Sequence, residues 1–73
     1  MPTNYTAILQ QRGLLWIGWI EEIPGANSQG HTRDELLDNL RSALQEALEM
    51  NRAEAVAAVE GEPYEEVKVI IAA

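Results

Sequence analysis

The side chains that could do chemistry in this chain are one histidine and a large set of carboxylates. His31 lies between a glycine and a threonine, and an imidazole there could serve as a general base or a metal ligand. The chain has no second histidine and no cysteine, and no serine constellation surrounds His31. We therefore expect His31 to be a solvated turn residue and predict no catalytic residue.

Two pairs of carboxylates could hold a divalent cation. Glu21 and Glu22 follow an apolar run, and Asp34 and Asp38 stand one turn apart in a predicted helix. Such oxygen ligands bind Mg²⁺ in nucleases that use metal-assisted hydrolysis. Acidic residues are also favoured at a helix start, because the backbone there carries partial positive charge. We expect a solvated face with no metal and no cofactor, and a metal-dependent nuclease is the weakest of three functional hypotheses.

Length and charge bound the class of protein. The 73 residues carry twelve carboxylates and five basic side chains, a net charge of −7. A chain of this size predicts one domain, over residues 1–73. The acidic surface disfavours direct nucleic-acid binding and would speed encounter with a basic protein, although it could equally serve solubility alone. No apolar run is long enough to span a membrane and no signal peptide is visible, so we expect a cytoplasmic protein.

Two strands and a hairpin are predicted at the start of the chain. Residues 4–10 are rich in β-formers, residues 11–13 form the connection, and residues 14–20 are apolar on both faces. Trp16 and Trp19 point to opposite sides of the second strand, which predicts one core and one interface tryptophan. Because one helix can cover only one face, we expect a homo-oligomer, a dimer or higher, with these tryptophans as its candidate interface.

The rest of the chain predicts a turn, a helix and a last strand. Pro24-Gly25 forms the turn, and residues 26–29 are too polar for core and too short to predict a strand from their pattern alone. Thr32 and Glu35 fit a capping box at the helix start. The fold class is α+β, in the order β-β-(β)-α-β, with an antiparallel sheet and one long amphipathic helix. Residues 53–59 either continue the helix or form a second one, and residues 66–71 alternate as a strand. The apolar helix stripe expected to pack on the sheet is Leu36, Leu40, Leu44 and Leu48.

The stretch from Trp16 to Leu48, WIGWIEEIPGANSQGHTRDELLDNLRSALQEAL, resembles the HicB-like antitoxin family. The family pattern is an aliphatic residue before Pro-Gly, then Ser/Gln-Gly-x-Thr, then a helix start rich in Glu and Leu. The resemblance covers roughly residues 5–52. It implies a partial ribonuclease-H-like sheet in which residues 26–29 form a short third strand. The residues that carry it, all with a turn or capping role, are Pro24, Gly25, Gly30, Thr32 and Glu35.

The resemblance implies inhibition by binding. HicB-like proteins neutralise a small basic HicA-type toxin, which cleaves mRNA, by occluding it. Full-length members add a DNA-binding segment for which we see no room, so operator binding is not expected here. A stand-alone oligomeric binding module of the same fold, with another partner, is the alternative. The candidate partner-binding residues, chosen for their charge, are Glu21, Glu22, Asp34, Asp38 and Glu46.

Overall fold

The structure, a computed structural model, describes residues 4–70. Three strands precede one long helix: β1 (Ala7–Arg12), β2 (Leu15–Ile20), β3 (Asn27–Gly30) and α1 (Arg33–Ala57). The strands form one antiparallel sheet in the order β1-β2-β3. The predicted α+β class, with its antiparallel sheet and single long helix, is confirmed.

The turns lie where the glycines predict them. Gly13 takes a φ of 61° in the β1–β2 connection, a conformation that glycine adopts without steric cost. Before β3, the carbonyl of Ile23 accepts a hydrogen bond from the amide of Ala26 at 3.2 Å. Pro24 and Gly25, the latter at a φ of 90°, are the central residues of this turn, which is a type II turn. The turn reverses the chain so that β3 pairs with β2.

Ala26 corrects one expectation from the sequence. The polar composition of residues 26–29 predicts that none of them is core, yet Ala26 is only 1% exposed. Its carbonyl accepts a hydrogen bond from the amide of Ile20 at 2.8 Å, which extends the β2–β3 pairing by one residue. A methyl side chain is small enough to be buried where the strand enters the sheet.

Helix α1 begins at its predicted cap and is longer than its apolar stripe. The hydroxyl of Thr32 accepts a hydrogen bond from the amide of Glu35 at 3.1 Å. The helix continues through Ala57 and is capped at Ala58, so residues 53–57 extend it rather than forming a second helix. Glu60 and Gly61 then take positive φ values and end the helical course of the chain.

The core lies between β2 and the first half of α1. It is formed by Ile20, Ala26, Leu36 and Leu40, with Leu44 packed against them. Leu48, expected to pack on the sheet, is half-buried and lies outside this cluster. The reason is length: a helix of 25 residues extends about 37 Å, and strands of six residues extend about 20 Å.

The predicted last strand is wrong for the residues described. Residues 63–70 form no strand, and Ile71 lies outside the described part of the chain. A strand needs a hydrogen-bonded neighbour, and the start of this segment is instead held against the helix. There Arg52 forms a salt bridge with Glu66 at 2.5 Å. The sheet therefore has three strands over residues 4–70, and its relation to a ribonuclease-H-like sheet is not confirmed.

Two glycines permit the close approach of the helix to the sheet. A Cβ added at Gly18 would lie 2.8 Å from the Ile8 carbonyl oxygen and 3.1 Å from Cδ1 of Leu40. A Cβ added at Gly30 would lie 2.7 Å from the amide nitrogen of Leu36. The ladders on both sides of Gly18 are continuous, so this glycine marks a close approach and not a bulge.

Gly30→Ala should therefore destabilise the fold. The new methyl group would meet helix backbone, which cannot move without shifting Leu36, and overpacking of this kind costs about 1–3 kcal/mol. Gln29→Ala, which shortens an exposed neighbouring side chain, is the control and should change stability by less than about 0.5 kcal/mol. Urea unfolding measures both. Equal stability of the two variants would contradict the close approach.

Candidate partner-binding surfaces

The outer face of the sheet, which faces away from α1, carries an apolar stripe along β2 that is flanked by polar residues of β1 and β3. Trp19 pairs with Ile8 across the β1–β2 ladder, and Ile17 and Leu15 continue the same face. Ile8 is 38% exposed and Trp19 is 41% exposed, while Leu15 and Ile17 are half-buried. No other element of residues 4–70 packs on this face, because the helix occupies the opposite side. We call these four residues the outer sheet face.

The two tryptophans lie on opposite sides of β2, as their spacing predicts. Trp16 is half-buried and packs against the core beneath the helix. Trp19 is exposed on the outer sheet face, beside Ile8 and Asn27. The structure therefore does not bring the two rings together, and Trp19 is the more exposed of the two.

The five candidate acidic residues are exposed but do not form one cluster. Glu21 and Glu22 lie in the turn after β2, next to the start of β1. Asp34 lies at the N-terminus of α1, beside the other end of β2, where Gly30 pairs with Trp16. With Asp38 and Glu46, it contributes to the solvent-facing side of the helix. The helix and the turn are therefore two separate acidic surfaces.

Glu22 has a structural role that sequence reasoning missed. Its Oε1 accepts a hydrogen bond from the backbone amide of Thr6 at 2.7 Å. This bond lowers the pKa of the Glu22 carboxyl below its ordinary value, because the amide stabilises the charged form. Glu22 thus joins the start of β1 to the turn after β2. The β1–β2 register, which places Thr6 beside Glu21, is the signal that could have indicated it.

Asp38 is also partnered. Its Oδ1 accepts a hydrogen bond from Arg41 at 2.7 Å, so the i,i+3 pair expected from the sequence is confirmed. Both side chains are exposed, and a pair of this kind contributes little to stability. The arginine reduces the local negative charge at Asp38, so that, of the three candidate carboxylates of the helix, Asp34 and Glu46 are the less compensated.

The single histidine and the candidate carboxylates lie on the exposed surface of the described chain. His31 is exposed in the bend between β3 and α1. No group of three or more histidine, cysteine, aspartate or glutamate side chains among the described residues could hold a metal ion. The same residues contain no helix with the length and apolarity that a membrane span requires.

A groove that the sequence did not indicate runs between β1 and α1. It has a volume of about 400 Å³ and is open to solvent. Its floor is apolar, and Arg41 and Asn4 lie at its rim. We call it the edge groove, because it lies beneath the helix beside the first strand. Its lining residues include Tyr5, Ala7, Ile20, Leu37, Leu40 and Leu44.

No protein-family description, curated protein or solved structure matches this chain. The resemblance to HicB-like antitoxins therefore rests on the sequence motif alone.

The bond between Glu22 and Thr6 predicts a pH dependence. A carboxyl whose pKa is lowered in the folded state stabilises the protein above the unfolded pKa, and this stabilisation is lost as the pH falls through the folded value. Wild type should therefore be more stable than Glu22→Gln at pH 7, and the difference should shrink below about pH 4. Thermal melts between neutral and acid pH measure it.

Glu21→Gln is the matched control, because it makes the same charge change at the neighbouring residue and leaves the hydrogen bond between Glu22 and Thr6 in place. An identical pH dependence in the two variants would contradict a specific role for Glu22.

Proposed function

We propose that this chain is a HicB-like antitoxin-type protein that neutralises a small basic HicA-type toxin by occluding its surface. It acts by binding, does no chemistry itself and would work in the cytoplasm, where such a toxin meets mRNA. The observation that carries the proposal is the exposed acidic side of α1, presented next to the residues that resemble the family motif.

Charge supports this choice of partner. Asp34 is exposed at the helix start, and Glu46 is exposed three turns along the same helix. The whole chain has a net charge of −7, so its long-range field attracts a cationic protein and repels nucleic acid. Complementary charge of this kind acts mainly on the association rate. A toxin that binds RNA through basic side chains would be drawn to the helix.

The outer sheet face supports self-association. Trp19 and Ile8 each leave more than a third of their surface exposed, next to the half-buried Ile17 and Leu15. Contiguous apolar surface of this kind marks an interaction site in small proteins. We propose that a second copy covers it, so that the protein is a homo-oligomer with Trp19 at the interface. A stand-alone oligomeric module with another partner would keep this interface and lack the toxin.

Reversing the helix charge tests the antitoxin proposal. Asp34→Lys with Asp38→Lys should slow association with a cognate toxin, and the effect should be largest at low salt, where screening is weak. Stopped-flow or surface-binding kinetics at two ionic strengths measure this. Glu60→Lys with Glu62→Lys is the control, because it makes the same net charge change beyond the end of the helix. His31→Ala should leave binding unchanged.

Equal slowing by the two double reversals would mean that only net charge matters. Unchanged association after the helix reversal would place the toxin interface elsewhere, with Trp19 the first residue to test. A hydrolytic activity that His31→Ala abolished would replace this proposal with the enzyme hypothesis.

Ile17→Lys tests self-association. A lysine in the middle of the outer sheet face would place a charge inside the interface, so wild type should sediment as an oligomer and the variant should shift towards monomer. Leu14→Lys is the control, because Leu14 is 92% exposed in the hairpin connection. A monomer mass for wild type at micromolar concentration would contradict the homo-oligomer.

A further inference from the structure

The two edges of the sheet differ. Along β3, the carbonyl of Gln29 accepts a hydrogen bond from the side chain of Asn39 at 2.8 Å, so the helix partly satisfies that edge. Along β1, the carbonyl of Thr6 accepts a hydrogen bond from the amide of Glu21. This bond determines which alternate residues of β1 direct their backbone groups towards β2. Backbone groups of Ala7 and Leu9 consequently point away from β2. Within residues 4–70 no strand pairs with this edge of β1, so it is open there, and the edge groove lies beside it.

A segment with the pattern of a strand and exposed apolar side chains lies elsewhere in the chain. Val67 and Val69 alternate with charged neighbours, and they are 74% and 84% exposed. The segment has no regular secondary structure and follows Glu66, which Arg52 holds against the last turns of the helix. The apolar side chains of Val67 and Val69 are thus mostly exposed.

The salt bridge holds the start of the segment away from the groove of its own chain. Arg52 lies eight residues beyond Leu44, the nearest helical residue of the groove, which is about 12 Å along the helix axis. The four residues that follow Glu66 extend about 13 Å. Ile70 would therefore only reach the level of Leu44, and Val67 and Val69 would stop short of the groove.

The molecule is more extended than a compact domain of its length, which fits a protein that packs against a partner. The radius of gyration is 15.5 Å, and the principal extents are 51 × 29 × 15 Å. A compact domain of this length has a radius of gyration of about 11 Å. The second half of α1 and the segment after it project from the sheet, which presents them to another molecule.

We propose that residues 66–70 of one copy form a fourth strand on the β1 edge of a second copy. Val67 and Val69 enter the partner's edge groove, and the strand backbone pairs with the open edge of β1. The second copy is the fitting occupant, because the chain itself carries both the open edge and a strand of matching pattern. Exchange of this kind adds a strand without adding an exposed edge to either sheet.

Crosslinking between two single-cysteine variants tests the exchange. The chain itself contains no cysteine, so each variant carries one thiol. Arg41→Cys places a thiol at the rim of the groove, and Val69→Cys places one on the strand. Mixed in equal amounts and treated with a short bis-maleimide, the two variants should form a dimer joined between positions 41 and 69. The control uses Glu46→Cys in place of Arg41→Cys, because Glu46 is exposed on another side of the helix. The yield should exceed the control by at least about ten-fold, because pairing raises the local concentration of the thiols.

A second comparison tests whether the crosslink depends on insertion into the groove or only on the two chains lying close together. Val67→Asp, added to the Val69→Cys chain, should reduce the crosslink to the level of the control, because it would bury a charge in the groove. Ile70→Asp makes the same change on the other side of the strand and should retain the crosslink. A yield no higher than the control overturns the proposal. So does a chain carrying both cysteines that joins them internally at monomer mass.

Discussion

The structure depends on the close packing of α1 against β2 and β3. Leu36 and Leu40 are the most deeply buried large side chains, and they reach the sheet where Gly18 and Gly30 leave no side chain in the way. Any larger residue at these two positions would hold the helix away and expose the leucines. A three-stranded sheet needs such a cover, because its strands alone bury too little apolar surface to be stable. The cap at Thr32 starts the helix at the point where this packing begins.

Helix α1 is longer than the core to which it contributes. Beyond Ala47 no residue of α1 belongs to the core or packs against it, yet the helix continues for ten residues. A small domain with so short a core has little stability in reserve, and partner subunits commonly supply what is missing. The projecting second half of the helix follows from this mismatch between a long helix and a short sheet, whereas the outer sheet face and the edge groove remain because one helix covers only part of the sheet.

The sequence predicts those parts of the fold that local chemistry determines. Pro24 and Gly25 require their turn, Thr32 is a cap in any helix that begins there, and alternation places Trp16 and Trp19 on opposite faces. It fails where the outcome depends on a neighbour in space. The pattern of residues 66–70 suits a strand, but a strand forms only beside an open edge. The bond between Glu22 and Thr6 joins residues sixteen apart, so neither residue indicates it alone.

The two kinds of surface lie on different sides of a two-layer molecule. The helix presents its carboxylates outward from one layer, and the outer sheet face is the far side of the other layer. A partner drawn electrostatically to Asp34 would therefore not compete with a copy that covers Trp19. The edge groove belongs to neither surface, since it opens sideways between the layers. Self-assembly could then complete the sheet and cover its apolar side while leaving the acidic helix accessible, which is the arrangement that an inhibitor acting by occlusion requires.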